Sequence, residues 1–300
     1  MKVKKRQHRM EHQVKAYAFI APSLLILTVF VFIPLAGAIG ISLMNIDIYM
    51  KNISFAGIAN YIKMFQDERV ANATFHTFYF ALLEVPLQMI VALLLLMFML
   101  RNTKLHKLLR TVFYLPYVCS MTAVSIMWSM LLNTHYGMLP YLLGKIGITM
   151  PNMLSSTTWA MPTVIFVTVW KGFGYTLTIL SAAALGVSES LYEAAEIDGC
   201  GHFKSFLSIM LPLLWPAMAA QGVFWFLGIW NDYFAPSIYL TRPEVMTLQP
   251  LITSLNASQR GTNFPLVMTG AFLSSVPLLA VYLFFQKYFI RALSITSGIK

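Results

Sequence analysis

Three charged side chains stand inside otherwise apolar runs of this sequence: Glu84, Lys171 and Asp232. A charge in such a run is costly and by default faces a bundle interior or a wet cavity. Glu84 and Lys171 lie at similar depth, about 17 Å from the outer ends of their runs at 1.5 Å per residue. Opposite charges at one depth are expected either to pair or to line one cavity. Gln88, one turn after Glu84, would line it too. Asp232 belongs to "WNDYF", where Asn231 and Asp232 could hydrogen-bond the hydroxyls of a polyol while Trp230 or Tyr233 stacks on a pyranose face. The same residues equally suit a helix-packing cluster.

A second polar concentration is "LYEAAEIDGCGHFKSFLSIMLPLLWP", Leu191 to Pro216, with strongly apolar sequence on both sides. Ser190 followed three residues later by Glu193 forms a capping box. Gly199 is a natural stop just past a last helical turn. The spacing predicts a short helix from Leu191 to Asp198, with Leu191, Ala194, Ala195 and Asp198 along one side. Such a segment is either a solvated loop or a small-sided helix that docks into a groove on a partner.

Other chemistry lacks its residues. No Gly-x-x-x-x-Gly-Lys-Ser/Thr loop occurs, so phosphates of ATP cannot be cradled by that route. "GKIG" at Gly144 lacks both the upstream glycine and the hydroxyl after Lys145. Cys119 and Cys200 give neither a disulfide framework nor a zinc set. The six histidines are scattered, and His76 and His135 read as membrane-edge residues. Neither a catalytic constellation nor a metal site is expected.

The elements that must position these residues follow from composition. Of the 300 residues 58% are hydrophobic and 11% charged, against about 25% charged in soluble domains. The mean hydropathy of +0.69 points to a polytopic membrane protein. Six runs are long enough to span as helices of about 20 residues: Ala16–Leu43, Ala73–Leu100, Leu109–Leu132, Trp159–Leu185, Leu213–Tyr239 and Phe264–Ile290. They are too long for membrane β-strands and lack their alternation. The first run also exceeds a cleavable leader's apolar core of about 7–15 residues. The expected fold class is therefore an all-α membrane protein with six transmembrane helices.

The net charge of +10 sits at the ends of these runs, which argues for membrane orientation over nucleic-acid binding. The N-terminal tail, the links 101–110 and 186–212 and the C-terminal end hold 14 Lys and Arg, against 6 on the other side. The excess predicts that both termini, and the Leu191–Pro216 stretch, face the cytoplasm. Residues 1–15 form a basic tail and 16–300 a single membrane domain, with the polar segment at 188–212.

The polar stretch also carries a resemblance. Glu193-Ala194-Ala195, three residues, Gly199, nine residues, then Ile209-Met210-Leu211-Pro212 resembles the EAA signature of ABC importer permeases at every fixed position. "YAFIAPSLLILTVFVFIPL", "FAGIANYIKMF", "VPLQMIVALLLL", "RTVFYLPYV", "VWKGFGY" and "VSESLYEAAEIDG" are similar, in order, to the carbohydrate-uptake branch, the maltose, lactose and glycerol-phosphate type. These permeases work in unlike pairs. The first half here resembles the first partner; "WNDYFAPSIYLTRPEVMTLQPL" and "FFQKYFIRAL" are more similar to the second.

The resemblance implies the ABC importer permease fold in a bacterial plasma (inner) membrane, and a chain that is not an enzyme. It implies a coupling segment of Leu191, Tyr192, Glu193, Ala194, Ala195, Ile197, Asp198 and Gly199. Glu193 would contact a cytoplasmic ATPase, Ala194 and Ala195 would permit close approach, and Gly199 would make the turn. The implied partners are a second permease, an ATPase dimer that uses ATP and Mg, and an extracytoplasmic sugar-binding protein. No cofactor would bind this chain. A rival is an ion-coupled secondary transporter that relays charge through Glu84, Lys171 and Asp232, since the missing phosphate loop fits it equally well.

Overall fold

Leu, Ile, Val, Phe and Met in runs this long have no polar face to show water, so the chain resolves them into helices whose backbone groups bond internally. The computed structural model describes residues 15, 17–46, 52–99, 103–188, 190–191, 195, 197, 199–256 and 263–297. Among the described residues five helices are long and apolar enough to cross a membrane. They are α1 (Tyr17–Ser42), α3 (Glu68–Phe98), α7 (Ala160–Ala184), α8 (Phe203–Trp230) and the apolar part of α11 (Phe264–Ser297). Shorter helices are α2 (Ala59–Gln66), α4 (Lys104–Val118), α5 (Met121–Leu131), α6 (Met138–Lys145), α9 (Phe234–Tyr239) and α10 (Leu248–Asn256). One antiparallel hairpin, β1 (Met44–Ile46) with β2 (Ile53–Phe55), pairs Asn45 with Ser54.

The third run departs from the expected continuous helix Leu109–Leu132. It is a bent pair, α4 and α5, which meet at 94°. Cys119 and Ser120 adopt extended backbone, with ψ of 143° and 135°. Pro116 lies in the last turn of α4 and weakens it by removing a donor. Neither half alone reaches across about 30 Å of hydrocarbon. The fifth span also differs. It begins at Phe203 and ends at Trp230, and Asn231 starts a turn rather than continuing the helix to Tyr239.

The chain divides into two compact units, Met1–Gln66 with Leu255–Leu273 and Asp67–Ser254 with Ser274–Lys300. In the first unit, Asn60 at the start of α2 is buried and donates from Nδ2 to the carbonyls of Ser42 and Met44, each at 2.8 Å. The Ser42 and Tyr61 hydroxyls lie 2.7 Å apart. Along α1 the large side chains are exposed, Phe19 and Phe30 among them. Lipid can solvate such a surface and water cannot.

The second unit holds two apolar clusters. One gathers Phe80, Ala81, Val164, Val167, Ile229 and Tyr239. The other gathers Met89, Leu96, Leu177, Leu180, Phe206 and Leu214. Each draws on α3, on α7 and on the end of α8 that reaches it. The middle turns of these three helices fall between the clusters and carry the polar residues. Helix ends are tied by side chains. Asp67 caps α3 by accepting from the Arg69 amide at 3.0 Å. At the other end of α3 the Arg110 guanidinium donates to the Met99 carbonyl at 2.8 Å, which suits a cation at a helix C-terminus.

Candidate functional site

The segment after α7 ends at Gly199 as its sequence predicts, whereas Ser190 is already helical rather than its cap. The Leu191 amide bonds the Ser188 carbonyl at 3.2 Å, and the Ser188 and Ser190 hydroxyls pair at 2.7 Å. At the far end Gly199 has φ of +73°, and the Cys200 amide reaches back five residues to the Ala195 carbonyl at 2.8 Å. That long bond around a left-handed glycine is the Schellman ending of a helix. Ala195 is buried within the chain itself, whereas Ile197 is 85% exposed and Leu191 is exposed beside the turn. Tyr192, Glu193, Ala194 and Asp198, and with Glu193 the second half of the capping box, lie outside the described residues.

Between the two apolar clusters sits a buried polar layer. Glu84 and Gln88 are both fully buried. The Gln88 amide donates from nitrogen to Glu84 Oε1 at 2.7 Å, and its oxygen accepts from Trp225 Nε1 at 2.8 Å and Thr176 Oγ1 at 2.9 Å. The reverse orientation would aim two acceptors at each other, so the network fixes the amide. Trp225 Nε1 also lies 2.9 Å from Thr176 Oγ1. Glu84 Oε2 has no hydrogen-bond partner among the described residues.

Lys171 does not pair with Glu84, as their depth had suggested. Its Nζ donates to the Tyr117 carbonyl at 2.9 Å. That carbonyl belongs to the last turn of α4, one of four such oxygens without a helical partner. The bend between α4 and α5 creates the acceptor, and a cation at a helix C-terminus is favourable. Lys171 Nζ also stands 5.2 Å from the centre of the Tyr117 ring. Tyr117 stacks on Tyr175 with centroids 4.5 Å apart, and both rings meet Trp225 edge-on at 6.3 and 6.2 Å. All four side chains are half-buried.

This close approach needs Gly172 and Gly174. A Cβ at Gly174 would overlap the Phe113 carbonyl, and one at Gly172 would come within 2.5 Å of the Gln88 amide. Small residues let membrane helices touch.

The "WNDYF" residues divide into a buried packing residue, a helix cap and exposed side chains. Trp230 is buried, donates to the Ser274 carbonyl at 2.8 Å and packs edge-on against Phe78. It is a core residue with no free face. Asp232 lies beyond the end of α8, and its Oδ1 accepts from the Phe234 and Ala235 amides at 2.9 and 3.4 Å, which caps α9. Asn231 is exposed and returns its amide to the Leu227 carbonyl at 3.0 Å. Tyr233 is exposed beside Phe234.

Tyr117, Tyr175, Thr176 and Trp225 were missed in the sequence. Tyr175 follows Lys171 by one helical turn, a spacing that places both on one face; the contributions of α4 and α8 have no such local signal.

Residues 67–295 match the family of binding-protein-dependent transport system inner membrane components. The chain belongs to this family. As an inner membrane component of that kind, it is similar to the sn-glycerol-3-phosphate transport system permease UgpA of Yersinia pestis bv. Antiqua (strain Antiqua), 30% identical over 203 residues, 67% of this chain and 68% of that one. It is also similar to the trehalose/maltose transport system permease MalF of Thermococcus litoralis, 29% identical over 202 residues, again 67% and 68%. In fold the component resembles a chain of a bacterial alginate ABC transporter solved with an alginate pentasaccharide-bound periplasmic protein. The TM-score is 0.76 at 22% identity, covering 93% of this chain and 94% of that one. A second structure of a bacterial alginate importer gives 0.75 at 21% identity, covering 96% and 99%. The component is thus a multi-pass permease of an ABC transport system.

Proposed function

We propose that this permease is the membrane-spanning subunit of an ATP-driven importer for a sugar or oligosaccharide, delivered by an extracytoplasmic binding protein. The observation that carries the reading is the turn after α7. It exposes Ile197, ends at Gly199 in a Schellman bond and bears the EAA pattern, in a chain that belongs to the binding-protein-dependent family. The turn docks on a cytoplasmic ATPase dimer, which holds ATP and Mg. A second permease completes the path in the plasma membrane of a bacterial cell. The chain is not catalytic and binds no cofactor of its own. The sugar cargo is supported by the relatives, which are named for glycerol phosphate and for trehalose and maltose. Half-buried Tyr117, Tyr175 and Trp225 with Lys171 supply the aromatic and hydrogen-bonding surface that a pyranose prefers.

A tagged copy isolated in mild detergent from its own cells tests the assembly. An ABC ATPase and a second permease are expected in stoichiometric amounts. Isolation as a homo-oligomer without an ATPase would overturn the reading.

A further inference from the structure

The polar layer contains one residue that touches every part of the aromatic cluster's support. Gln88 reaches the Glu84 carboxyl on its own helix, Thr176 on α7 and the Trp225 indole on α8, all within 2.9 Å. Trp225 in turn meets Tyr117 of α4 and Tyr175 of α7 edge-on, each at 76° between planes. The indole has a single polar handle, its N–H. Whatever holds that N–H sets the rotation of the ring, and Gln88 and Thr176 hold it together. The terminal zone of Trp225 also abuts Gly172, where an added Cβ would lie 2.8 Å from the indole edge. Space and hydrogen bonding therefore agree on one orientation.

We propose that Gln88 is a positioning residue for cargo selection: with Thr176 it fixes the Trp225 indole, which sets the Tyr117–Tyr175 stack against which a pyranose face lies. This rests on reading the chain as a sugar permease. Removing the clamp lets the indole rotate, so the wall of the path loses its shape while the helices remain packed by their apolar clusters. The signature is weaker and less selective cargo handling with maximal flux largely retained.

The test uses the complete importer in proteoliposomes, with its ATPase, second permease and binding protein. The probes are radiolabelled glucose, maltose and an alginate trisaccharide. Trp225 is followed in parallel by the 19F signal of 5-fluorotryptophan, identified by its loss in Trp225→Phe. Gln88→Leu and Thr176→Val are each expected to shift the Trp225 signal. Each should raise the half-saturating concentration of the carried probe roughly tenfold, the scale of a lost hydrogen bond to a buried group. Discrimination among the three probes should narrow, and Thr176→Ser should restore both readouts. An unmoved 19F signal in both variants overturns the proposal. So does a moved signal with half-saturation and discrimination unaltered, or a fall in maximal rate alone. If the unmutated importer carries none of the probes nor any other sugar, the sugar reading itself fails, which the 19F arm distinguishes.

Discussion

Lys171 donates to the main-chain oxygen of Tyr117 across 54 residues of sequence and caps the last turn of α4 at the 94° bend. The cation that looked like half of an ion pair is a helix cap instead. Replacing it with Met removes a charged donor from an otherwise unpaired carbonyl. The expected loss is about 1–2 kcal/mol, read as a lower unfolding temperature in detergent. Adding Glu84→Gln should give no rescue, because Glu84 bonds Gln88 and not Lys171. Rescue by the double change would restore the ion pair.

Gly174 sits under the Phe113 carbonyl with no room for a side chain. Gly174→Ala should push α4 away from α7 and cost about 1–3 kcal/mol, the range for overpacking. Gly228→Ala meets nothing within 4 Å and should be nearly silent in the same thermal scan. An equal loss at both sites would remove the Phe113 contact as the cause, since alanine is otherwise the better helix former.

Trp230 is buried and tied to the Ser274 carbonyl. Trp230→Phe should destabilise by about 1–3 kcal/mol through the lost indole hydrogen bond and lost volume. Ratios of uptake among competing sugars should not change. A changed preference would return Trp230 to the path.

Gly199 holds φ of +73° with open space around it, so conformation alone resists a Cβ there. Gly199→Ala should cost about 1 kcal/mol at the turn. It should lower transport per ATP hydrolysed more than it lowers global stability. Gly201→Ala, at a glycine with ordinary φ and nothing within 4 Å, is the matched control. Indistinguishable coupling ratios would remove the turn from the coupling path.

Much of this architecture is written in local sequence. The first, second, fourth and sixth apolar runs appear as helices within a few residues of their expected ends, because span length is set by bilayer thickness. Gly199 stops its helix where the sequence says, since only glycine adopts that backbone freely. The bend between Val118 and Met121 was not legible. Pro116 signals weakness there, but the partner that makes a broken span tolerable, Lys171, lies on another helix. For the same reason depth along a helix paired Glu84 with Lys171, whereas rotation about each helix decides contact. The boundary within "WNDYF" was not legible either: α8 ends at Trp230, and Asp232 accepts from the amides that open α9.

The most direct measurement is uptake by the complete importer in proteoliposomes, with ATP and the proton gradient varied independently. Sugar should accumulate only with ATP inside and should continue when a protonophore collapses the gradient at constant ATP. Uptake that stops with the gradient while ATP is maintained, or that proceeds without ATP, would contradict coupling through the Leu191–Gly199 turn and favour an ion-coupled carrier.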